Sequence, residues 1–178
     1  IGRLETTTGT RYFAVAAGAG FDAELMHRTA SHHKRAFGVG AYVATALGLA
    51  TGITRARVRV ETDDGVHEAP AACILVANCG VLVPFMPPFA DHIEPDDGVL
   101  DVLVLDASSL PGAARIAWRL FLRRRGPALG ITRLRARRVR LVADPDLPVQ
   151  ADGETCGRTP LVAEVVPKGL TVLVPAGV

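Results

Sequence analysis

The chain has 178 residues, 49% of them hydrophobic, with a mean hydropathy of +0.27. That is one domain with ample chain for a buried core, and it excludes disorder. The formal net charge of +2 hides an asymmetry, because ten of the 20 Lys and Arg residues are arginines between Arg115 and Arg140, and no acid interrupts from Ala107 to Ala143.

In chain order, Arg11–Ala17 is short, aromatic and β-branched, and reads as a strand ending at Gly18-Ala19-Gly20. Asp22 stands where a cap would precede a helix over Ala23–Arg28, and a second helix is expected from about Gly38 to Leu49. No charge falls between Arg35 and Arg55, a length that could span a bilayer, yet Gly38, Gly40, Gly48 and Gly52 favour a buried helix. From Thr54 the period switches to two: Arg55, Arg57 and Arg59 alternate with Ala56, Val58 and Val60, which describes a half-exposed strand.

Thr62-Asp63-Asp64-Gly65 is a hairpin turn returning through Val66 to Asn78. Pro84, Pro87 and Pro88 open a loop, Leu100–Leu105 is a buried strand, and Leu110–Arg125 is an amphipathic helix. Strands follow at Arg133–Val142, Val149–Ala151, Leu161–Val166 and Leu170–Val174. The fold class is therefore mainly β (α+β), an antiparallel β-sandwich with a few inserted helices.

Cys73, Cys79 and Cys156 have neither metal-ligand spacing nor an even count and read as small core residues in a reducing compartment. No Gly-rich loop of nucleotide-binding spacing is present. Asp-Gly turns recur at Asp64-Gly65, Asp97-Gly98 and Asp152-Gly153, and the last two carry an extra carboxylate, Asp96 and Glu154. Acid clusters at strand ends suit metal binding and proton transfer. The first Asp-Gly is adequately explained as turn chemistry.

Four segments in order resemble the carboxy-terminal domain of the diacylglycerol kinase and sphingosine kinase family of lipid kinases, bacterial branch. They are Gly18-Ala19-Gly20-Phe21-Asp22-Ala23-Glu24; Lys34-Arg35-Ala36-Phe37-Gly38 with Tyr42; Ala77-Asn78, Pro88-Phe89-Ala90 and Asp96-Asp97-Gly98-Val99-Leu100-Asp101; and Gln150-Ala151-Asp152-Gly153-Glu154 with Thr159-Pro160-Leu161. The resemblance implies the lipid-side half of an ATP-dependent kinase, with the ATP-holding amino-terminal domain outside a chain that starts at Ile1 without a Met. Alone, such a half should be inactive.

By the same resemblance, Asp152 or Glu154 accepts the proton of the lipid hydroxyl, and the sequence leaves the choice between them open. Asp97 matches a structural Mg²⁺ ligand, with the main-chain carbonyls of Glu94 and Val99 beside it and Asp96 and Asp101 in the outer shell. Asp22 matches an acid that binds the lipid head group, and Lys34 and Arg35 match a basic pair near the nucleotide phosphates or membrane. An ordinary turn, a helix cap and solvated surface charge would read the same way at these three places. One departure is that Gly80 is followed by Val81-Leu82-Val83-Pro84-Phe85 where the family carries glycines, so the cleft mouth is reshaped.

The implied partners are a lipid substrate, the separate ATP-binding domain and an anionic membrane surface, with a cytoplasmic location at the inner face and a homodimer compatible with it. A second reading, a non-catalytic membrane-binding module, rests on Arg115, Arg119 and Arg123 sharing a helical stripe and Arg133, Arg135 and Arg137 a strand face. Nucleic acid is disfavoured, because aromatics are only 5% of residues and are not interleaved with the arginines.

Overall fold

In the computed structural model the described residues are 1–20, 23, 55–80, 93–106 and 130–173. Among them run twelve strands: β1 Gly2–Thr6, β2 Gly9–Phe13, β3 Ala16–Gly20, β4 Ala56–Thr62, β5 Gly65–Ala71, β6 Cys73–Ala77, β7 Leu100–Leu105, β8 Ile131–Ala136, β9 Arg138–Asp144, β10 Pro148–Ala151, β11 Glu154–Arg158 and β12 Leu161–Val165. They form two six-stranded sheets, ordered β2-β1-β12-β9-β4-β5 and β11-β10-β3-β6-β7-β8. Every recorded pairing is antiparallel, as a sandwich requires.

Between the sheets lies a core that includes Leu4, Phe13, Val58, Val60, Ile74, Val76, Leu100, Val102, Val139, Leu141, Val149 and Leu161. The arginine alternation of β4 works as read: Ala56, Val58 and Val60 are buried while Arg57 and Arg59 are exposed. Strand β7 is buried on both faces. Leu100, Val102 and Val104 point into the main core, while Leu103 joins Ala16, Leu75, Ala77 and Ile93 in a second cluster on the opposite face of the same sheet.

Three segments that read as single strands each break into two and change sheets. The first breaks at Ala14-Val15 between β2 and β3, the second at Ala72 between β5 and β6, and the third at Arg137 between β8 and β9. Both sheets face one apolar core, so hydrophobic residues continue through each corner and conceal it in the sequence. Strand β3 ends on Gly18-Ala19-Gly20, as expected. A Cβ on Gly20, at φ 93°, would stand 2.4 Å from the Ala72 carbonyl oxygen, so close approach at this corner requires glycine.

Strands β1 and β11 were not expected from the sequence. The strand expected over Leu170–Val174 does not form across the described residues 170–173: Leu170, Val172 and Leu173 are 58%, 69% and 95% exposed, with no ladder partner among the described residues. The expected helices over 22–28, 38–49 and 110–125, and the loop from Pro84, lie outside the described residues, apart from Ala23. Among the described residues no helix is long and apolar enough to cross a membrane.

Candidate active site at one end of the second sheet

The strand register brings two of the four family-like segments, the third and the fourth, to one end of the second sheet, while Gly20 of the first ends β3 at the opposite end, across from Cys73. Ala151 at the end of β10 pairs with Ala17, Ala16 at the start of β3 pairs with Ala77, Ala77 pairs with Asp101, and Asp101 pairs with Arg135. The turn 152–153, Asn78, Asp101 and Arg135 thus follow one another along a single rim. Strands β10 and β7 are three spacings apart, which puts the Asp152 turn roughly 14 Å from the Asp97 loop. The two acid groups share an edge without forming one cluster.

The β10–β11 hairpin has a two-residue loop, Asp152 at φ 46° and Gly153 at φ 86°. Positive φ at both positions defines the tight turn whose twist suits a hairpin, and Asp-Gly is the residue pair that best tolerates it. Gln150, buried, accepts the Gly153 N–H on Oε1 at 2.7 Å and locks the turn from within.

Asp152 and Glu154 leave this turn with different surroundings. The Asp152 carboxylate accepts three backbone N–H groups from the β2–β3 corner: Ala14 on Oδ2 at 2.7 Å, and Val15 and Ala16 on Oδ1 at 2.9 and 3.0 Å. Its own N–H donates to the Ala16 carbonyl at 2.9 Å. Glu154 is 79% exposed at its side chain and makes an ion pair with Arg11 of β2 at 3.3 Å. Both residues are exposed, but the Asp152 carboxylate is tied to the β2–β3 corner whereas that of Glu154 meets a side chain alone.

Asn78 holds the same corner from the other side. Its Nδ2 donates to the Ala14 carbonyl at 2.9 Å, and its backbone N–H donates to the Val15 carbonyl at 2.9 Å. The side chain is buried, and its Oδ1 has no hydrogen-bond partner among the described residues. In the sequence Asn78 stands within a family-like segment, and no local signal there marks its role at the corner.

At the far end of the rim, Asp97 sits in a turn where its N–H faces the Glu94 carbonyl at 3.5 Å. Its Oδ1 accepts the Val99 N–H at 3.1 Å, and its Oδ2 pairs with the Arg135 guanidinium. Asp101 is 1% exposed; Arg133 grips its Oδ1 through Nε at 2.8 Å and Nη2 at 2.7 Å, and Arg135 Nε lies 3.7 Å away. This donor set does not suit the Mg²⁺ expected at Glu94, Asp97 and Val99. A hard cation wants carbonyl and carboxylate oxygens turned toward it, whereas here an N–H faces one Asp97 oxygen and a guanidinium cation lies against the other, so an entering cation would meet positive charge.

Asp22, Lys34 and Arg35, expected to contact lipid and phosphate, lie outside the described residues. Cys156 is buried, and burial raises its thiol pKa, which keeps it protonated and inert. Cys73 and Cys79 are only partly buried, so the expectation of three core cysteines holds fully for one.

Part of the basic block meets acids among the described residues. Arg133 and Arg135 pair with Asp101 and Asp97, Arg140 lies 3.3 Å from Glu61, and Arg138 stands opposite Glu164 in the ladder. Sequence reading missed these partners because they lie on strands distant along the chain. The arginines Arg115, Arg119 and Arg123 lie outside the described residues.

The model of the YegS C-terminal NAD kinase beta sandwich-like domain matches residues 15–174, and the chain belongs to that family. A curated relative, the uncharacterized protein sll0036 of Synechocystis sp., is 24% identical over 163 residues, which is 89% of this chain and 38% of that protein. A diacylglycerol kinase structure from Bacillus anthracis superposes with TM-score 0.61 at 15% identity, covering 94% of this chain and 50% of its own. A second B. anthracis protein, a candidate diacylglycerol kinase, gives TM-score 0.67 at 19% identity, with 94% and 53% covered. At such identities the superpositions speak to fold alone. The chain spans about half the length of those structures, and 38% of the curated relative.

Proposed function

We propose that this chain is the acceptor-side domain of an ATP-dependent lipid kinase and that Glu154 is its general base. The carrying observation is the unequal use of the two turn carboxylates. Asp152 turns its oxygens to three backbone donors, while Glu154 projects from the same hairpin with, among the described residues, only an exposed ion pair to Arg11. Membership of the sandwich family and the B. anthracis kinase fold support the reading.

A carboxylate at that position orients a lipid hydroxyl and takes its proton as the oxygen bonds to the γ-phosphorus of ATP and the bond to the departing ADP breaks. Phosphoryl transfer demands placement more than covalent help, so a base beside a two-residue hairpin held by side-chain and backbone hydrogen bonds is well suited. An ATP-binding domain joined to this one would supply the phosphoryl donor. Diacylglycerol, a sphingoid base or a related lipid alcohol is the acceptor.

The test is transfer of labelled γ-phosphate from ATP to these lipids by a protein that contains this chain together with its ATP-binding domain. Glu154→Gln should lower kcat by roughly 10²- to 10⁴-fold, the usual worth of general-base catalysis. Full activity in that variant, or no lipid phosphorylated by the unaltered protein, would end the proposal.

A further inference from the structure

The resemblance implies a structural Mg²⁺ at the Asp97 loop, yet the residues present hold the loop by other means. We propose that in this chain Arg135 takes the place of that ion, so that the turn 94–99 is fixed by an internal guanidinium and is independent of divalent cations. Arg135 lies opposite Asp101 in the β7–β8 ladder, which aims its guanidinium at the start of β7. From there it pairs with Asp97 Oδ2 and approaches Asp101 Oδ1 at 3.7 Å.

Charge explains why a second cation is unnecessary. Asp101 is 1% exposed and its desolvated carboxylate needs compensation, which Arg133 provides at 2.7 Å. Asp97, with a side chain 21% exposed, is compensated by Arg135. Asp97 and Asp101 thus meet two arginines, which offsets the charge that would draw an ion to these two carboxylates; Glu94 and Asp96 of the same turn are exposed to solvent. The planar guanidinium reaches both carboxylates at once, which a single bound ion with its own waters would do less well in so short a loop. An N–H from Val99, aimed at Asp97 Oδ1 at 3.1 Å, would also have to turn away before a cation could enter.

Thermal unfolding of the chain in excess EDTA and in saturating Mg²⁺, with calorimetric titration of Mg²⁺ alone, tests this. The expected result is the same Tm in both solutions and no binding heat at this site, because an ion held by the native state would raise Tm with its concentration. Arg135→Gln should lower Tm and introduce a Mg²⁺-dependent recovery. A Mg²⁺-dependent rise in the unaltered chain that Asp97→Asn abolishes would overturn the proposal. A rise that survives Asp97→Asn arises elsewhere and leaves this loop metal-free, as proposed. The comparison of unaltered chain with Asp97→Asn decides the matter even if Arg135→Gln fails to fold.

Discussion

Asp152 and Glu154 are two residues apart, yet they belong to different kinds of chemistry. Sequence could not divide them, since both are acids beside one glycine; the division comes from the Ala14–Ala16 corner, which lies over 130 positions away and offers its N–H groups to Asp152 alone. Asp152→Asn keeps one acceptor oxygen, removes the charge and presents an NH₂ to a backbone donor. A loss of about 2 kcal/mol is expected from hydrogen bonds to a charged group, which for a chain of this size is a fall in Tm of roughly 4–8 °C. Thermal unfolding checks it, and an unchanged Tm would mean that the corner does not depend on this carboxylate. Glu154, in an exposed ion pair worth at most about 1 kcal/mol, should tolerate Gln with little change in Tm.

At the scale of elements, the legible parts were those with a local signature. The alternation of β4, the apolar run of β7 and the turn residues at 62–65 all carry their structure in neighbouring residues. The sheet changes at Ala14-Val15, Ala72 and Arg137 do not, because a corner that keeps facing one core looks like an uninterrupted strand. Strand β11, Glu154–Arg158, also lacked a pattern, with only Cys156 fully buried. Two of the corners are pinned alike, each by a carboxylate from a hairpin tip in the opposite direction of the chain. Asp152 holds the β2–β3 corner, and Asp63 Oδ2 accepts the Arg137 N–H at 2.6 Å at the β8–β9 corner. Asp63→Ala should therefore destabilise the chain by about 1–2 kcal/mol, and hydrogen exchange at the Arg137 and Arg138 amides should quicken more than elsewhere. Uniform exchange across the chain would argue against a corner-specific role. Of the candidate site, the resemblance named two segments that fall on one rim, whereas the partners that surround each acid came only with the ladder register.

Over the whole molecule, the outer face of the first sheet sets charges of opposite sign beside one another, with Arg59 2.9 Å from both Glu61 and Glu68, and Arg140 3.3 Å from Glu61. Arg59 and Arg140 thus meet carboxylates of the same sheet face. Hydrogen bonds from Arg59 and then Arg140 hold the Glu61 carboxyl below its ordinary value of 4.5. The bond from Arg158 does the same for Asp146 below 3.8. Both acids have lower pKa values folded than unfolded, so their contribution is present above those ordinary values and is lost as pH falls through the folded ones. Stability should decline on acidification below about pH 4.5, the decline should be shallower in a Glu61→Gln, Asp146→Asn double variant, and added salt should weaken the difference, since these groups are exposed. An identical pH profile for the double variant would show that the pairs contribute nothing.

The division of labour at the Asp152–Glu154 hairpin is the claim on which the functional account stands. It is tested most directly by measuring kcat for lipid phosphorylation and Tm side by side for Asp152→Asn and Glu154→Gln, in a protein that joins this chain to its ATP-binding domain. The account predicts that Glu154→Gln loses turnover at nearly unchanged Tm, while Asp152→Asn loses Tm; turnover kept in Glu154→Gln and lost in a fully stable Asp152→Asn would contradict it.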